Sequence, residues 1–120
     1  MIISMGVDVI EVLRIAEAMQ NPRFLKRILT LKERETIKHP ARVAGRWAAK
    51  EAIAKCMSFL DLKLSWQDIE ILNDSSGKPH VIFHPFNLAQ KGYKLHLSIS
   101  HERSLSVATA ILERIFDKKC

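Results

Sequence analysis

The chain has 120 residues, of which 48% are hydrophobic and 27% are charged, a composition typical of one soluble globular domain. No apolar run approaches the roughly 20 residues that a membrane-spanning helix requires, so we expect no membrane span. The 19 Lys and Arg residues against 13 Asp and Glu residues give a net charge of +6, which favours an anionic partner. The charge alone leaves nucleic acid, a nucleotide, a membrane phosphate and an acidic protein open.

The start of the chain and its two cysteines bear on the cellular compartment. Asp8 interrupts the apolar start and no basic segment precedes it, so we expect no signal peptide. Cys56 lies in an apolar segment and Cys120 is the last residue, so we expect reduced thiols rather than a disulfide. Together these features predict a cytoplasmic protein.

The first third of the chain predicts a strand followed by short helices. Residues 2–10 fit a short buried strand, and residues 11–19 fit an amphipathic helix with one apolar face. The apolar spacing in residues 24–29 indicates another short helix. Residues 30–33 have the form of a capping box that opens a further helix.

A long helix is predicted from Pro40 to about Met57. A residue that precedes a proline avoids the helical conformation, so His39 ends the preceding helix and Pro40 occupies the first turn of the next. Its alanines favour helix and permit close packing. Because apolar residues surround its whole circumference, we expect this helix to be central and largely buried.

The second half predicts antiparallel strands, on the basis of alternating apolar residues and turn residues between them. The predicted elements are a strand at 68–72, a turn at 74–77, a strand at 79–83, a short helix at 86–93, and strands at 95–101 and 105–113. The fold class is therefore α+β, with one long central helix packed on an antiparallel sheet.

Two acidic residues stand among core-type neighbours. Glu51 lies in an alanine-rich segment, and Asp8 lies beside Gly6 in an apolar one. An unpaired buried charge is costly, and two carboxylates with open positions suit Mg²⁺, which completes its octahedron with water and phosphate oxygens. Each acid also has an ordinary alternative: Glu51 could pair with Lys55 across one helical turn, and Asp8 could be a turn or cap residue.

Basic residues accompany these acids on the predicted long helix. Arg46 and Lys50 are four residues apart and share a face, where they could clamp a phosphate, and Lys55 follows Glu51 by one turn. The alternative is an ordinary helix whose cations reach into solvent. The five histidines lack the spacing of zinc ligands, so a zinc site is not expected.

These segments also carry a resemblance to a known family. The chain resembles the holo-[acyl-carrier-protein] synthases, the short-chain class of 4'-phosphopantetheinyl transferases, across nearly its whole length. The matching blocks, in sequence order, are residues 6–11, residues 45–52 with Lys55, and residues 97–101, with a weaker match in residues 68–71 and 77–79. The resemblance implies a single transferase domain over residues 1–120.

The resemblance implies transfer of phosphopantetheine from coenzyme A to a serine of apo acyl carrier protein, in support of fatty acid biosynthesis. The metal acids of the family fall on Asp8 and Glu51, with Mg²⁺ between them and the coenzyme A diphosphate. Lys55 and His101 match further catalytic positions. The general base is either Glu51 or a water molecule held by the metal. The residues that match positions near coenzyme A are Arg46, Lys50, Lys55 and His101.

The resemblance further implies a homotrimer with active sites between subunits, and an acidic carrier protein as partner. Arg14 and Arg27 are candidates for docking the carrier through electrostatic pairing. One departure concerns residues 56–65, where the family usually has a glycine-rich loop around the nucleotide and this chain has no glycine. Side chains of Ser58 or Lys63 could compensate there.

Two other classes of function stay open on residues alone. A nucleic-acid-binding module would explain the net charge of +6, but the predicted central strands offer serines rather than the aromatic side chains on which bases stack. A protein that serves only oligomerisation would not need Asp8 or charged residues on a buried helix. We therefore expect no nucleic acid partner.

Overall fold

The computed structural model describes residues 1–116. Cys120 lies outside the described residues, so the expectation of a reduced thiol there stays a prediction. The helices are α1 (Val12–Ala18), α2 (Pro22–Ile28), α3 (Leu31–Thr36) and α4 (Pro40–Met57), with 3₁₀ turns at Ser58–Leu60 and Trp66–Asp68. The strands are β1 (Ile2–Glu11), β2 (Ile69–Asn73), β3 (Pro79–Phe83), β4 (Tyr93–His101) and β5 (Leu105–Arg114).

Side chains define the helix starts as the sequence predicts. The capping box that opens α3 is formed: the backbone N–H of Thr30 donates to Glu33 Oε1 at 2.8 Å, and that of Glu33 donates to Thr30 Oγ1. Pro40 opens α4, and His39 caps it by accepting the backbone N–H of Ala41 on Nδ1 at 3.1 Å. Both boundaries confirm the predicted ones.

The strands form two antiparallel sheets. A three-stranded sheet has the order β1-β5-β4, and its register places Asp8 of β1 opposite Ala108 of β5, which in turn lies opposite Ile99 of β4. The hairpin of β2 and β3 forms a separate two-stranded sheet. Its turn contains Gly77 at φ 87°, a backbone conformation that favours glycine.

Helix α4 lies across the three-stranded sheet and forms the centre of the core. Most of its residues are buried, including polar ones, which confirms the predicted central helix. Strand β1 approaches α4 tightly at Gly6, where a Cβ atom would lie only 2.1 Å from the carbonyl oxygen of Ala52. Glycine is therefore required at this crossing, and it brings the backbone of β1 directly against α4.

Two sequence predictions are corrected. The helix predicted at residues 86–93 is wrong: residues 88–92 form successive turns that lead into β4, the Leu88 carbonyl accepts the N–H groups of Lys91 and Tyr93, and Gly92 has φ 90°. The apolar spacing that imitated a helix instead packs Phe86 and Leu88 against the core. In addition, β1 continues to Glu11, so this residue belongs to the strand and not to the helix predicted at 11–19.

Among residues 1–116, no helix is both long enough and apolar enough to span a membrane.

Candidate active site

Strand β1 and helix α4 bring three of the predicted site residues together. Alternation along β1 places Gly6, Asp8 and Ile10 on the face of the strand that lies toward α4. Lys55 Nζ donates to Asp8 Oδ1 at 3.1 Å and to the carbonyl oxygen of Val7 at 2.9 Å. The Asp8 side chain is 18% exposed and that of Lys55 is 54% exposed, so the group lies at the surface with its carboxylate partly covered.

Glu51 belongs to the same group, one helical turn before Lys55. Partial burial raises the pKa of the Glu51 carboxyl, the negative charge of Asp8 raises it further, and the charge of Lys55 opposes both effects. The ordinary alternative for Glu51, an ion pair with Lys55, is not what forms: among the described residues, Lys55 pairs with Asp8. The two carboxylates therefore share one site and repel each other across it.

The donor set of this site fits a hard divalent cation. Asp8 and Glu51 supply carboxylate oxygens, the ligands that Mg²⁺ takes in proteins, and a cation between them would remove their mutual repulsion. Within residues 1–116, no cluster of three or more His, Cys, Asp and Glu side chains could hold a metal alone. Two protein ligands leave the remaining positions for water and substrate phosphate, as Mg²⁺ sites commonly do.

A second group of predicted site residues lines a pocket of about 320 Å³ at the opposite edge of the sheet. His101 ends β4 and is exposed, and Arg46 on α4 is buried with Nη2 donating to Asn73 Oδ1 at 2.9 Å. Burial lowers the pKa of the Arg46 guanidinium; Glu33 opposes this, and Arg42 adds to it. A cation with a neutral hydrogen-bond partner and a second cation nearby favours an anionic ligand in this pocket.

Sequence reasoning missed Arg42 and Asn73 as members of this pocket. Arg42 lines the pocket and precedes Arg46 by one helical turn. The sequence could have revealed it, because residues four apart share a helix face. Asn73 ends β2, and only the fold brings it to α4, since 27 residues separate it from Arg46. The lining of this pocket does not include Asp8, Glu51 or Lys55. Within one chain, the predicted site residues therefore form two separate groups.

The structure contradicts the predicted phosphate clamp at Lys50. Its side chain has no exposed surface, and Nζ donates to the carbonyl of Ile28 at 2.7 Å, Glu33 Oε1 at 2.7 Å and the carbonyl of Trp66 at 2.9 Å. An ammonium has three N–H donors, so none remains for a phosphate. Burial lowers the pKa of Lys50, and the Glu33 carboxylate opposes that effect. Lys50 shares a helix face with Arg46 as predicted, but other segments of the chain cover it.

The two arginines predicted to dock a carrier protein are both exposed on short helices. Arg27 on α2 lines a shallow depression of about 620 Å³ together with Glu17 of α1 and Arg23 and Phe24 of α2. Arg14 lies on α1, outside the lining of this depression. The structure thus places Arg27 in a depression and Arg14 on the exposed surface of the preceding helix.

Residues 56–65, which contain no glycine, form the turn after α4 with other residue types. Asp61 takes the left-handed conformation at φ 52°, the role that glycine usually fills. The Ser58 hydroxyl donates to the carbonyl of Lys55 at 2.9 Å, so it caps the helix end. Lys63 is exposed and remains the candidate of the two for a nucleotide contact.

The sequence and the fold match proteins of known class. The sequence profile described as "4'-phosphopantetheinyl transferase superfamily" matches residues 4–117. The holo-[acyl-carrier-protein] synthase of Alkaliphilus metalliredigens is 42% identical over 121 residues, covering 92% of this chain and 98% of the relative. That of Chloroherpeton thalassium is 46% identical over 116 residues, covering 90% of this chain and 95% of the relative.

A solved structure gives the same result for the fold. The holo-(acyl-carrier-protein) synthase of Bacillus anthracis, solved in complex with CoA (3',5'-ADP), has a TM-score of 0.77 and 36% identity to this chain. The match covers 93% of this chain and 96% of that one. The chain therefore belongs to the holo-[acyl-carrier-protein] synthases, enzymes of the 4'-phosphopantetheinyl transferase superfamily.

Proposed function

We propose that this chain transfers 4'-phosphopantetheine from coenzyme A to a serine of apo acyl carrier protein, with Mg²⁺ as cofactor, in support of fatty acid biosynthesis. The observation that carries the proposal is the shared site of Asp8 and Glu51 beside Lys55, in a chain that belongs to the synthase family. We further propose that residues 1–120 form one catalytic domain and that the protein acts in the cytoplasm.

Coenzyme A use is supported by the Bacillus anthracis relative, which was solved in complex with CoA (3',5'-ADP). When bound at Asp8 and Glu51, Mg²⁺ supplies electrostatic stabilisation of the charge that develops on the leaving bisphosphate. Asp8 and Glu51 would hold the cation, and Lys55 adds a positive charge beside them that would attract the diphosphate.

The acid-base role in the transfer is proposed for Glu51. Its carboxylate lies in the site shared with Asp8, beside Lys55, where it would face the serine hydroxyl of the carrier. Arg46 and His101, with Arg42, supply the cationic pocket proposed to hold further phosphate of coenzyme A. Lys50 has no place in this contact because its donors are occupied inside the core.

A homotrimer is part of the proposal because the site of one chain is divided. The group around Asp8 lies on edge strand β1 and His101 lies on the other edge strand, β4, so a neighbouring copy could bring the two groups together. The outer face of β1 supports an interface between copies: Met5, Val7 and Val9 are 64%, 52% and 54% exposed. Adjacent exposed apolar side chains of this kind mark interaction surfaces.

The proposed protein partner is an acidic carrier. The net charge of +6 favours an acidic surface, and Arg14 and Arg27 are exposed on α1 and α2, where they would steer and pair with acidic side chains. The depression that contains Arg27 gives this surface a concave part that also holds Phe24. We propose α1 and α2 as the docking surface, with Arg14 and Arg27 as its charged contacts.

The test is a transfer assay with the purified chain, coenzyme A, Mg²⁺ and a recombinant apo acyl carrier protein, read by intact mass spectrometry of the carrier. The expected result is a mass gain equal to phosphopantetheine that a metal chelator abolishes. A matched binding experiment separates the enzyme from a nucleic-acid-binding module. Salt-sensitive binding of RNA, without Mg²⁺-dependent binding of coenzyme A, would replace the proposal with that module.

A further inference from the structure

A fully buried ion pair lies on the side of α4 that faces away from Asp8. Glu33 and Lys50 both have side chains with no exposed surface, and their charged atoms lie 2.7 Å apart. Glu33 is also fixed by backbone donors: its Oε1 accepts the N–H of Thr30 and its Oε2 accepts the N–H of Ile71, each at 2.8 Å. The pair thus connects the start of α3, the middle of α4 and strand β2.

The same ammonium holds the end of α2. Lys50 Nζ donates to the carbonyl of Ile28, the last residue of α2, whose backbone would otherwise lack a partner at this helix end. A second side chain supports it: Gln67 Nε2 donates to the carbonyls of Lys26 and Leu29 at 2.7 and 2.6 Å. The carboxyl end of α2 is therefore fastened to α4 and to the 3₁₀ turn Trp66–Asp68.

Stability alone is a weak reason for this arrangement. Burying two charges costs much of what their attraction returns, and apolar residues of similar volume often stabilise a core as well or better. An ammonium makes directional hydrogen bonds, which an apolar side chain cannot make. Its three N–H donors can therefore fix the positions of three acceptors on separate segments. Here those acceptors belong to α2, α3 and the turn before β2.

Two functional surfaces meet at Lys50. Arg27, a proposed docking residue, immediately precedes Ile28 on α2, and Glu51, the proposed metal ligand, immediately follows Lys50 on α4. We propose that Lys50 is a positioning residue for carrier modification: its buried ammonium holds the carrier-docking helix α2 in a fixed relation to α4 and the metal site. This inference rests on the proposed transfer activity.

The principal test compares Lys50→Met with the double variant Lys50→Met/Glu33→Gln. Lys50→Met leaves Glu33 buried without a cation, so that variant should lose stability. The double variant removes both charges, and the single carboxamide oxygen of glutamine still accepts one of the two backbone N–H groups that Glu33 binds, so its melting temperature should recover in part. Its kcat/KM for the apo carrier should remain reduced, by on the order of tenfold to a hundredfold, the loss that misplacement by about 1 Å produces.

Coenzyme A binding supplies the readout that a purely structural role would not separate. Asp8, Glu51 and Lys55 are held by the contact of β1 with α4, and the double variant removes one positive and one negative charge near Arg46. The Mg²⁺-dependent dissociation constant for coenzyme A should therefore change far less than kcat/KM for the carrier. Lys38→Met, which removes one charge from an exposed lysine between α3 and α4, should leave both quantities unchanged.

Gln67→Leu keeps the inference testable if the core variants do not fold. Gln67 is exposed and bears no charge, so its replacement should fold normally while loosening the end of α2. The expected result is a smaller selective loss in kcat/KM for the carrier. Carrier kinetics equal to the unmodified chain in this variant and in every folded Lys50 variant would overturn the inference, and so would a parallel loss of coenzyme A binding. Absence of transfer by the unmodified chain would overturn the proposed function, and this inference with it.

Discussion

The Lys55 ammonium lies 3.1 Å from Asp8 Oδ1, so the charged partner that the chain itself supplies to Asp8 comes from the helix facing strand β1. The two residues come from α4 and β1 and are separated by 47 positions in the sequence. Because Glu51 stands one turn before Lys55, the ammonium faces two carboxylates that would also bind the cation. Lys55 therefore offsets the negative charge of these carboxylates and would compete with a metal for them.

Replacement of Lys55 by methionine should change metal affinity and transfer in opposite directions. Loss of a positive charge beside Asp8 and Glu51 removes a repulsion toward Mg²⁺, and the affinity should rise by about two- to tenfold for a charge at this distance near a surface. Transfer should fall because the diphosphate loses a cationic partner. Isothermal titration with Mg²⁺ and the carrier mass assay measure the two quantities. A fall in Mg²⁺ affinity would contradict this account of Lys55.

The raised pKa of Glu51 predicts a pH dependence of stability in the metal-free protein. The pKa of the folded state lies above the ordinary value of 4.5, so the folded protein holds a proton that the unfolded chain has released. The stability that this group contributes is fully present below 4.5 and is lost as the pH rises through the folded pKa. The free energy of unfolding of the unmodified chain, relative to that of Glu51→Gln, should therefore fall between pH 4.5 and the folded pKa of Glu51. At higher pH the difference should stay constant.

Urea unfolding in the presence of a chelator measures this difference at each pH. Asp8→Asn supplies a control, because removing the neighbouring negative charge should bring the folded pKa of Glu51 nearer to its ordinary value and narrow the window. A difference between the unmodified chain and Glu51→Gln that does not change with pH would contradict the assignment.

The crossing of β1 and α4 should not accept a side chain at Gly6. A Cβ atom there meets the Ala52 carbonyl oxygen at 2.1 Å, so Gly6→Ala must push β1 away from α4. We expect a loss of about 1–3 kcal/mol in the free energy of unfolding, typical of overpacking, together with weaker Mg²⁺ binding. Gly45→Ala is the matched control, since its Cβ meets only the Ile99 Cγ2 atom, at 3.1 Å. Equal effects of the two substitutions would refute the role of Gly6.

The outer face of β1 should carry the proposed interface between copies. Val7 is 52% exposed on this face, and a lysine there would place charges in an apolar contact. Val7→Lys should shift the mass measured by light scattering from that of a trimer to that of a monomer. Leu31→Lys changes an apolar side chain of 63% exposure on α3 and should leave the mass unchanged. A trimer in the Val7 variant would place the interface elsewhere.

Much of the fold could be predicted because local signals and the final structure agree. The capping box of Thr30 and Glu33, the proline at the start of α4 and the turn that contains Gly77 each depend on residues within a few positions of one another. The segment at 86–93 was predicted wrongly because apolar spacing alone does not separate a helix from turns packed on a core. The glycine at position 92 was the local sequence signal against a helix, and in the structure it takes positive φ.

The candidate site could be predicted only in part. Asp8, Glu51 and Lys55 lie in segments whose residues already resemble the family, and the structure brings them together. The environment of Lys50 could not be predicted, because its partners Ile28 and Trp66 come from segments that only the tertiary fold places over α4. A lysine on a helix face carries no sequence signal that distinguishes a buried ammonium from one that binds phosphate.

The central claim is that Asp8 and Glu51 form the metal site of a phosphopantetheinyl transferase. The most direct test is the intact mass of an apo acyl carrier protein after incubation with coenzyme A, Mg²⁺ and either the unmodified chain or Glu51→Gln. The account predicts a mass gain equal to phosphopantetheine with the unmodified chain and no gain with the variant, although both unfold at similar temperatures. Equal modification of the carrier by both proteins would contradict it.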